Sequence, residues 1–571
     1  MIWRFRDIDQ GRARQLASDL EKPLKIGEFL AARRFGGAGE VLDFKGAEIK
    51  KLPNPLTLTD MDKAVERLRL ARERGEMVAI CGDYDADGLT AATLLTRGLR
   101  DLGHQVLVRV PNRLTEGYGL KPEMVLELVK DGAKLLVTVD NGISEHQAVE
   151  AALKAGVEVI ITDHHQLPPE LPKALAIVNP HRDQDWHQSP PAGVGVAFLL
   201  LWALKRRYQQ AGWLRAGQGP ALLEDCLALV AIGTIADLAP LTGVNRILVH
   251  HGLKSLAGSR QPGLRALKKI ARVGGTRVGT WEVGFRLAPR LNSAGRLGPA
   301  EPALELLMTE DERQADRLAA ALEELNRLRY QEQIKLQAEA LERCEAEIRP
   351  DSRTVVLGGE QWPRGLLGLA SSRVAEATGK PTVLFSLDNG LAVGSGRSAG
   401  NFNLYRALAE LRHLFLSFGG HAQAAGLSLE TSKLAEFKSA LEELAQEQPD
   451  FSPETELWVD LTADSLGDLD GLAWLAALEP FGPNHPAPVV VVPRVKVTDA
   501  RPTDSGGDQH LKLILSDGLN RRTVVGFGLA PRLCEIGREM DLALTLEVSE
   551  YKDKIMPNWR LLDFRPPTES N

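Results

Sequence analysis

Cysteine is scarce in this chain: Cys81, Cys226, Cys344 and Cys534 are the only four in 571 residues. They lie far apart without C-x-x-C spacing, which excludes a disulfide framework and a cysteine zinc site and suits a reducing compartment. Each reads as a small buried hydrophobe rather than a nucleophile. Long apolar runs are lacking too. No stretch reaches the ~18 residues that a membrane-spanning helix needs, and the opening MIWRFRDIDQGRAR lacks the apolar core of a signal peptide. A cytoplasmic location with no membrane association is therefore expected. Nor is there an excess of positive charge: the net charge is −7, so the overall balance does not by itself suggest a nucleic-acid partner. Hydrophobic content of 44% and charged content of 25% are ordinary for soluble globular protein, and the length implies three or four domains.

The charge is unevenly spread, however. Between Arg265 and Arg296 stand eight basic residues (Arg265, Lys268, Lys269, Arg272, Arg277, Arg286, Arg290 and Arg296) against one acid, Glu282, and the following stretch Glu301–Arg349 is acidic. A local basic stripe fits a channel for a polyanion. A solvated helix face has the same sequence signature.

The most informative stretch is MVAICGDYDADGLTAATLL, Met77–Leu95. Met77–Cys81 is a short apolar run without helical period, the pattern of a buried strand. Asp83, Asp85 and Asp87 follow at alternate positions, and Gly88 opens a helix-like segment. Two unit charges ~4 Å apart cost about 4 kcal/mol at an effective dielectric near 20, so three carboxylates pinned at a strand end ask for cations. D-x-D-x-D-G also begins an EF-hand loop, but its twelfth position here is Leu94 instead of a bidentate Glu, and a strand precedes it where a helix is required.

The pattern recurs. A strand at Gln105–Val110 leads into PNRLTEGYG (Pro111–Gly119), a Gly-rich loop holding Arg113. Lys134–Val139 ends in Asp140-Asn141-Gly142, and Val157–Thr162 ends in Asp163-His164-His165. Helical segments lie between them. Acids and histidines at successive strand ends describe a parallel, doubly wound α/β sheet with a shared site. Glu224–Ala236 reads as a buried helix leading to Asp237; Phe285–Gly298 reads as irregular and basic. Asp311–Ile348, with Leu318, Leu322, Leu325 and Leu328 on one face, reads as a long connecting helix. An α/β pattern resumes at Thr354, with glycine-rich GSGRS (Gly394–Ser398) and FGGHAQAAG (Phe418–Gly426). Gln446–Glu454 reads as a linker, and five strand-like runs from Val489 to Phe564 suggest a small OB-type barrel. The domains expected are a lead-in over 1–55, a catalytic domain over 56–300, the helix over 301–349, a second α/β domain over 350–448 and the barrel over 449–571.

Carboxylates and imidazoles without cysteine favour Mn²⁺, Mg²⁺ or Zn²⁺. Asp83, Asp85, Asp87, Asp140, Asp163, Asp237, His164 and His165 are more ligands than one ion needs. Two metals ~3.5–4 Å apart suit an in-line phosphoryl displacement. Arg397, Ser398 and His421 have the character of a phosphate-binding wall.

At these residues the chain resembles the DHH phosphoesterase superfamily and, within it, the RecJ family of single-strand-specific exonucleases. DYDADG (Asp83–Gly88), VDNG (Val139–Gly142), TDHH (Thr162–His165), GTIADLAPL (Gly233–Leu241), NSAGR (Asn292–Arg296), GSGRS and GGHAQAAG carry the resemblance over nearly the whole chain. It departs from the family pattern at Asn484-His485, within EPFGPNHP, and at Pro363-Arg364. The resemblance implies a DHH domain, a DHHA1 domain and a terminal OB-fold. It further implies a 5′→3′ exonuclease on single-stranded DNA, dependent on two Mn²⁺ or Mg²⁺ ions, serving recombination and repair. Carried over by motif, Asp85, Asp87, Asp140, His164 and Asp237 would ligate the metals, with Asp140 bridging. Asp83 would be a ligand or orient the attacking water, His165 would act beside the scissile phosphate, and Asp163 would support the histidines from behind. Arg113, Arg296, Ser372, Arg373, Arg397, Ser398 and His421 would grip the 5′ end. Single-strand-binding protein and a helicase would be partners of a monomeric enzyme. Two other readings remain: a small-substrate phosphodiesterase of the same superfamily, for which the barrel is superfluous, and a non-catalytic scaffold, for which the intact ligand set is superfluous.

Overall fold

The apolar run Met77–Gly82 is a strand, and it sits second in a five-stranded sheet. The order is Gln105–Arg109, Met77–Gly82, Ala133–Val139, Glu158–Thr162 and Ala176–Val178, every pair parallel. This is a computed structural model describing residues 1–113, 115–117, 119–187, 189–214, 220–448, 456–505, 508–551 and 554–567. Val78 and Ile80 face the helices Ala86–Asp101 and Gly193–Gln210, while Ala79 and Cys81 face Pro122–Lys130 and His146–Lys154. Strands buried on both faces read as continuous apolar runs, which is why no alternation marks this one. The chain leaves Met77–Gly82 for one neighbour and later crosses back to the other. The carboxyl ends of Met77–Gly82 and Ala133–Val139 therefore flank a crevice, the place where open α/β sheets bind ligands.

The basic segment expected to be irregular is helical. A π-helical turn, Val283–Leu287, runs into Ala288–Leu297, whose Pro289 lies in the first turn, where no backbone N–H is needed. The long helix Glu312–Glu347 spans 36 residues. Leu322 is buried and Leu318 and Leu325 pack on the first lobe, Leu328 is exposed, and then Leu336, Ala340 and Cys344 join the core of the second lobe. One helix thus seals two cores in succession.

The second lobe holds the sheet order Ser417–Gly420, Ala424–Glu430, Leu391–Arg397, Thr382–Asp388, Val355–Glu360, in which only the last pair is parallel. GSGR is the end of a central strand rather than a loop, and GGH is the tip of a hairpin. In the C-terminal region Val489–Ser505 pairs with both Asp508–Ser516 and Glu539–Tyr551, and Arg521–Gly526 meets Lys554–Arg565, so the strands close on themselves. Closure removes the exposed edges that an open sheet would leave.

The first forty residues belong with this barrel. Ile2–Phe5 pairs with Glu456–Val459, and Leu16, Ile26, Phe29 and Leu30 share a core with Leu461, Val490, Leu513 and Phe564. The linker expected at 446–454 falls largely outside the described residues, as do Leu114 and Tyr118 of the Pro111–Gly119 loop. Among the described residues no helix is long and apolar enough to cross a membrane.

Candidate metal centre

Each acid is placed by an element end. Asp85 is the N-cap of Ala86–Asp101, its Oδ1 accepting from the backbone N–H groups of Asp87 (2.9 Å) and Gly88 (3.1 Å). Asp87 is buried in the first turn of that helix and is held by a second one: Gly193 N–H donates to its Oδ2 (2.7 Å) and Val194 N–H to its Oδ1 (3.0 Å) at the start of Gly193–Gln210. Asp140 closes the strand Ala133–Val139 with φ +61°, a left-handed conformation uncommon for a residue with a Cβ. Asp163 accepts from the N–H groups of Ile143, His164 and His165 and from the His165 ring, Nδ1 to Oδ1 at 2.7 Å. Asp237 follows the last turn of Pro220–Ala236.

These side chains converge. Asp83, Asp85 and Asp140 offer oxygens within 4.8 Å of one another; so do the ligand atoms of Asp87, His164 and Asp237, and those of Asp140, His164 and His165. Asp140 and His164 link the groups, their Oδ1 and Nε2 being 3.0 Å apart. Both atoms are buried without a hydrogen-bond partner, as is Asp83 Oδ1. A lone pair left in that state costs about 1–3 kcal/mol. Two ligands at right angles on one cation with ~2.1 Å bonds would stand ~3 Å apart, which is the spacing seen. The residues present therefore fit divalent metal.

The electrostatics point the same way. Burial, then Asp85, pushes the Asp83 carboxyl well above the usual range; burial, then Asp237 and Asp85, does so for Asp87; burial, then Asp87 and Asp85, does so for Asp140. Burial, then Asp85, raises Asp237 to about 7. His164 is pushed down to about 4 by burial and then by His165, so it is neutral and able to ligate. For His165 burial acts downward, but the hydrogen bond and charge of Asp163, with Asp237 and Asp83, lift it to about 9.

Beside the carboxylates lies a group of guanidiniums. Arg113 covers the Tyr84 ring at 5.1 Å. Arg296 is lowered to about 10 by burial and then by Arg113, and Arg397, from the second lobe, is lowered by burial and then by the same Arg113. Arg296 donates to Gly365 O (3.1 Å) and Arg397 to Gly396 O (2.8 Å). The other expected phosphate contacts are placed less tellingly. Ser372 Oγ donates to Gly368 O one turn back, Arg373 stands beside Glu376 at 3.9 Å on an exposed face, and Ser398 Oγ donates to Phe402 O. His421 is exposed at the hairpin tip, its N–H donating to Ala424 O. Much of the basic stripe is neutralised within the fold. Arg265, Lys269 and Arg290 pair with Glu312, Asp316 and Glu323 of the long helix, which favours the helix-face reading for those three.

Comparison with known proteins agrees with this geometry. Family models match at residues 77–234 (DHH family, N-terminal domain), 351–447 (DHHA1 domain) and 460–563 (RecJ OB domain). The single-stranded-DNA-specific exonuclease RecJ of Bacillus subtilis (strain 168) is 32% identical over 99% of this chain and 72% of its own length. That of Dickeya dadantii (strain 3937) is 37% identical over 87% and 89%. The chain belongs to the RecJ family. A crystal structure of RecJ in complex with Mn²⁺ from Thermus thermophilus superposes with a TM-score of 0.83 at 31% identity, covering 100% of this chain and 80% of that one. The Mg²⁺ complex from the same source gives 0.78 at 29% identity, over 100% and 79%.

In this RecJ-family chain sequence reasoning missed the groups that hold the clustered acids in place. The signal for Gly193 was present as Pro190-Pro191-Ala192-Gly193 before an apolar helix: a Cβ there would sit 2.5 Å from the Asp140 carboxylate. A Cβ at Gly233 would sit 2.5 Å from Asp87 Oδ1. Asn292 of NSAGR also acts on the loop, its Oδ1 accepting from Ala86 N–H at 2.7 Å.

Proposed function

We propose that this chain is a metal-dependent exodeoxyribonuclease that releases nucleotides from the 5′ end of single-stranded DNA, with two divalent cations, Mn²⁺ or Mg²⁺, at the carboxylate–histidine cluster. The observation that carries the reading is the trio of buried, partnerless ligand atoms, Asp83 Oδ1, Asp140 Oδ1 and His164 Nε2, within two ligand groups that Asp140 and His164 join. Asp83, Asp85 and Asp140 would hold one cation and Asp87, Asp140, His164 and Asp237 the other, Asp140 bridging. When bound, such a pair stabilises charge on the phosphoryl oxygens and makes water a nucleophile at neutral pH.

The chain's own residues supply the rest. Gly193 and Val194 N–H groups fix Asp87, so one ligand needs no reorganisation. Asp163, 2.7 Å from His165 Nδ1, orients that ring so that its other nitrogen can serve the leaving 3′ oxygen as proton donor. Arg113, Arg296 and Arg397, drawn from both lobes, grip the terminal phosphates, with Ser372, Arg373, Ser398 and His421 as outlying contacts. The barrel tracks the single strand beyond the cleft. Recombination and repair, with single-strand-binding protein and a helicase as partners of a monomeric enzyme, complete the proposal.

The test is a 5′-phosphorylated strand ~30 nucleotides long, labelled at one end or the other and incubated with Mn²⁺. Mononucleotide release from the 5′ label, with stepwise shortening of the 3′-labelled strand and little action on a blunt duplex, is expected. Faster turnover of a dinucleotide, or no hydrolysis at all, contradicts the reading.

A further inference from the structure

Trp281 and Phe285 are exposed by 45% and 71%, and their rings stack at 5.7 Å with an interplanar angle of 27°. The Arg286 guanidinium lies 5.0 Å over the Trp281 ring, steadied by a hydrogen bond from its Nη1 to Arg272 O at 3.1 Å. The metal cluster uses neither ring. Both are carried by the segment Thr280–Leu287, whose Val283 and Leu287 are buried in the catalytic lobe. At Gly284 this segment lies beside Ile235: a Cβ there would be in ordinary contact with its Cγ2, at 3.8 Å. Ile235 is two residues before Asp237, and Leu238 just after it is a further exposed apolar side chain, held at φ +57°. The start of the segment touches the barrel region, Thr280 Oγ1 donating to Phe481 O (3.0 Å), and just before it Arg277 Nη1 donates to Val548 O (2.9 Å). Stacked rings under a cation therefore stand between the barrel and the helix end that presents a metal ligand.

We infer that Trp281 and Phe285 form a stacking ledge for one base of the single strand, on the 3′ side of the bond that is cleaved, with Arg286 holding the ledge and facing the adjoining phosphate. The inference rests on the nuclease reading for the direction of the strand. A flat aromatic face accepts any base, and the adjacent guanidinium matches the backbone charge, so the ledge is sequence-tolerant and serves grip rather than recognition. The exposure has this use in the binding of a single strand; a duplex, whose bases are already stacked on one another, has no free base to offer.

Binding of a 30-nucleotide oligothymidylate, measured by fluorescence anisotropy in EDTA so that the strand stays whole, reads the ledge directly. A set of strands each carrying one abasic site should show one position at which wild-type protein binds about tenfold more weakly. The Trp281→Ala/Phe285→Ala variant should bind the intact strand about tenfold more weakly and lose sensitivity to that position alone. Trp281→Phe and Phe285→Tyr should retain wild-type affinity and profile, whereas Phe285→Leu, which keeps the apolar bulk but not the ring, should bind more weakly and lose the same position-specific sensitivity as the double variant. A double variant with wild-type affinity, or one with the wild-type abasic profile, overturns the ledge. Hydrolysis by the wild-type protein with Mn²⁺ is followed in parallel: if it fails while the position-specific loss persists, the nuclease reading falls and the ledge stands.

Discussion

Asp140 combines three properties at one residue: a left-handed backbone, a buried oxygen without a partner, and membership in two ligand groups. Strain and desolvation of that size persist only where the surroundings force them, and they cluster at working sites. Gly193 is part of the forcing. Replacing it with alanine drives a methyl group into the Asp140 carboxylate, and a shift of ~1 Å in a reacting group costs on the order of 10²-fold in rate. Gly193→Ala should therefore lower kcat by about that factor with DNA affinity retained, approaching the complete loss expected of Asp140→Ala; turnover within threefold of wild type would remove the positioning role. The residues that converge in the cluster were legible because D-x-D-x-D, VDNG and TDHH put charge where an apolar run stops. Gly193, Gly233 and Asn292 were not, since a residue that acts by leaving room or accepting one hydrogen bond has no chemistry of its own to read.

At the scale of elements, the parallel strands were legible from their apolar runs and the long helix from its period. The helix Ala288–Leu297 was missed because Pro, Asn, Ser and Gly lower helix propensity; packing against the long helix decides in its favour. The basic stripe shows the same limit, since charge along a sequence does not say what faces it. Arg265 and Lys269 face Glu312 and Asp316, so Arg265→Gln and Lys269→Gln should leave the salt dependence of single-strand binding unchanged. Arg397, close enough to Arg113 to feel its charge, is expected to contribute, and Arg397→Gln should reduce the log–log slope by about 0.7. Equal slopes for all three variants would show that the paired stripe also contacts DNA.

Over the whole molecule, catalytic lobe and barrel are fastened by Arg246. Its guanidinium is buried, lies 3.6 Å over the Phe44 ring, and donates to the carbonyls of Phe44, Leu478, Glu479 and Pro480. His485 lies in the same junction, buried against Phe44 and Phe481 with Nε2 at 3.1 Å from Leu478 O. Burial, then Arg246, pushes its imidazole down to about 3. Above pH 6.5 the ring is neutral in both folded and unfolded chains; below it the unfolded chain takes up a proton that the folded one refuses. Stability should fall as pH drops from 6.5 towards 3, by at most about 1.4 kcal/mol per pH unit from this residue. Urea midpoints at pH 7 and pH 5 should show a smaller difference in His485→Asn than in wild type, and an undiminished difference would assign the acid sensitivity elsewhere. We propose domain limits at 56–300, 301–349, 350–448 and 449–571, with the residues up to about Val41 grouped with the barrel whose core they share. Removing residues from 455 onward strips the apolar faces of Leu16, Phe29 and Leu30, so a truncation that omits both segments is the cleaner one. Residues 42–448 should bind a 30-nucleotide strand at least tenfold more weakly while still hydrolysing a dinucleotide; full affinity would give the barrel another role. That coupling of the two chain ends was not legible, because the first forty residues carry no motif and their partner lies more than 400 residues away.

The most direct measurement is anomalous diffraction at the manganese edge from crystals of the protein soaked in Mn²⁺. Two peaks ~3.5–4 Å apart are predicted, one among Asp83, Asp85 and Asp140 and one among Asp87, Asp140, His164 and Asp237. A single peak, or density away from these side chains, would contradict a site built to hold a pair of cations.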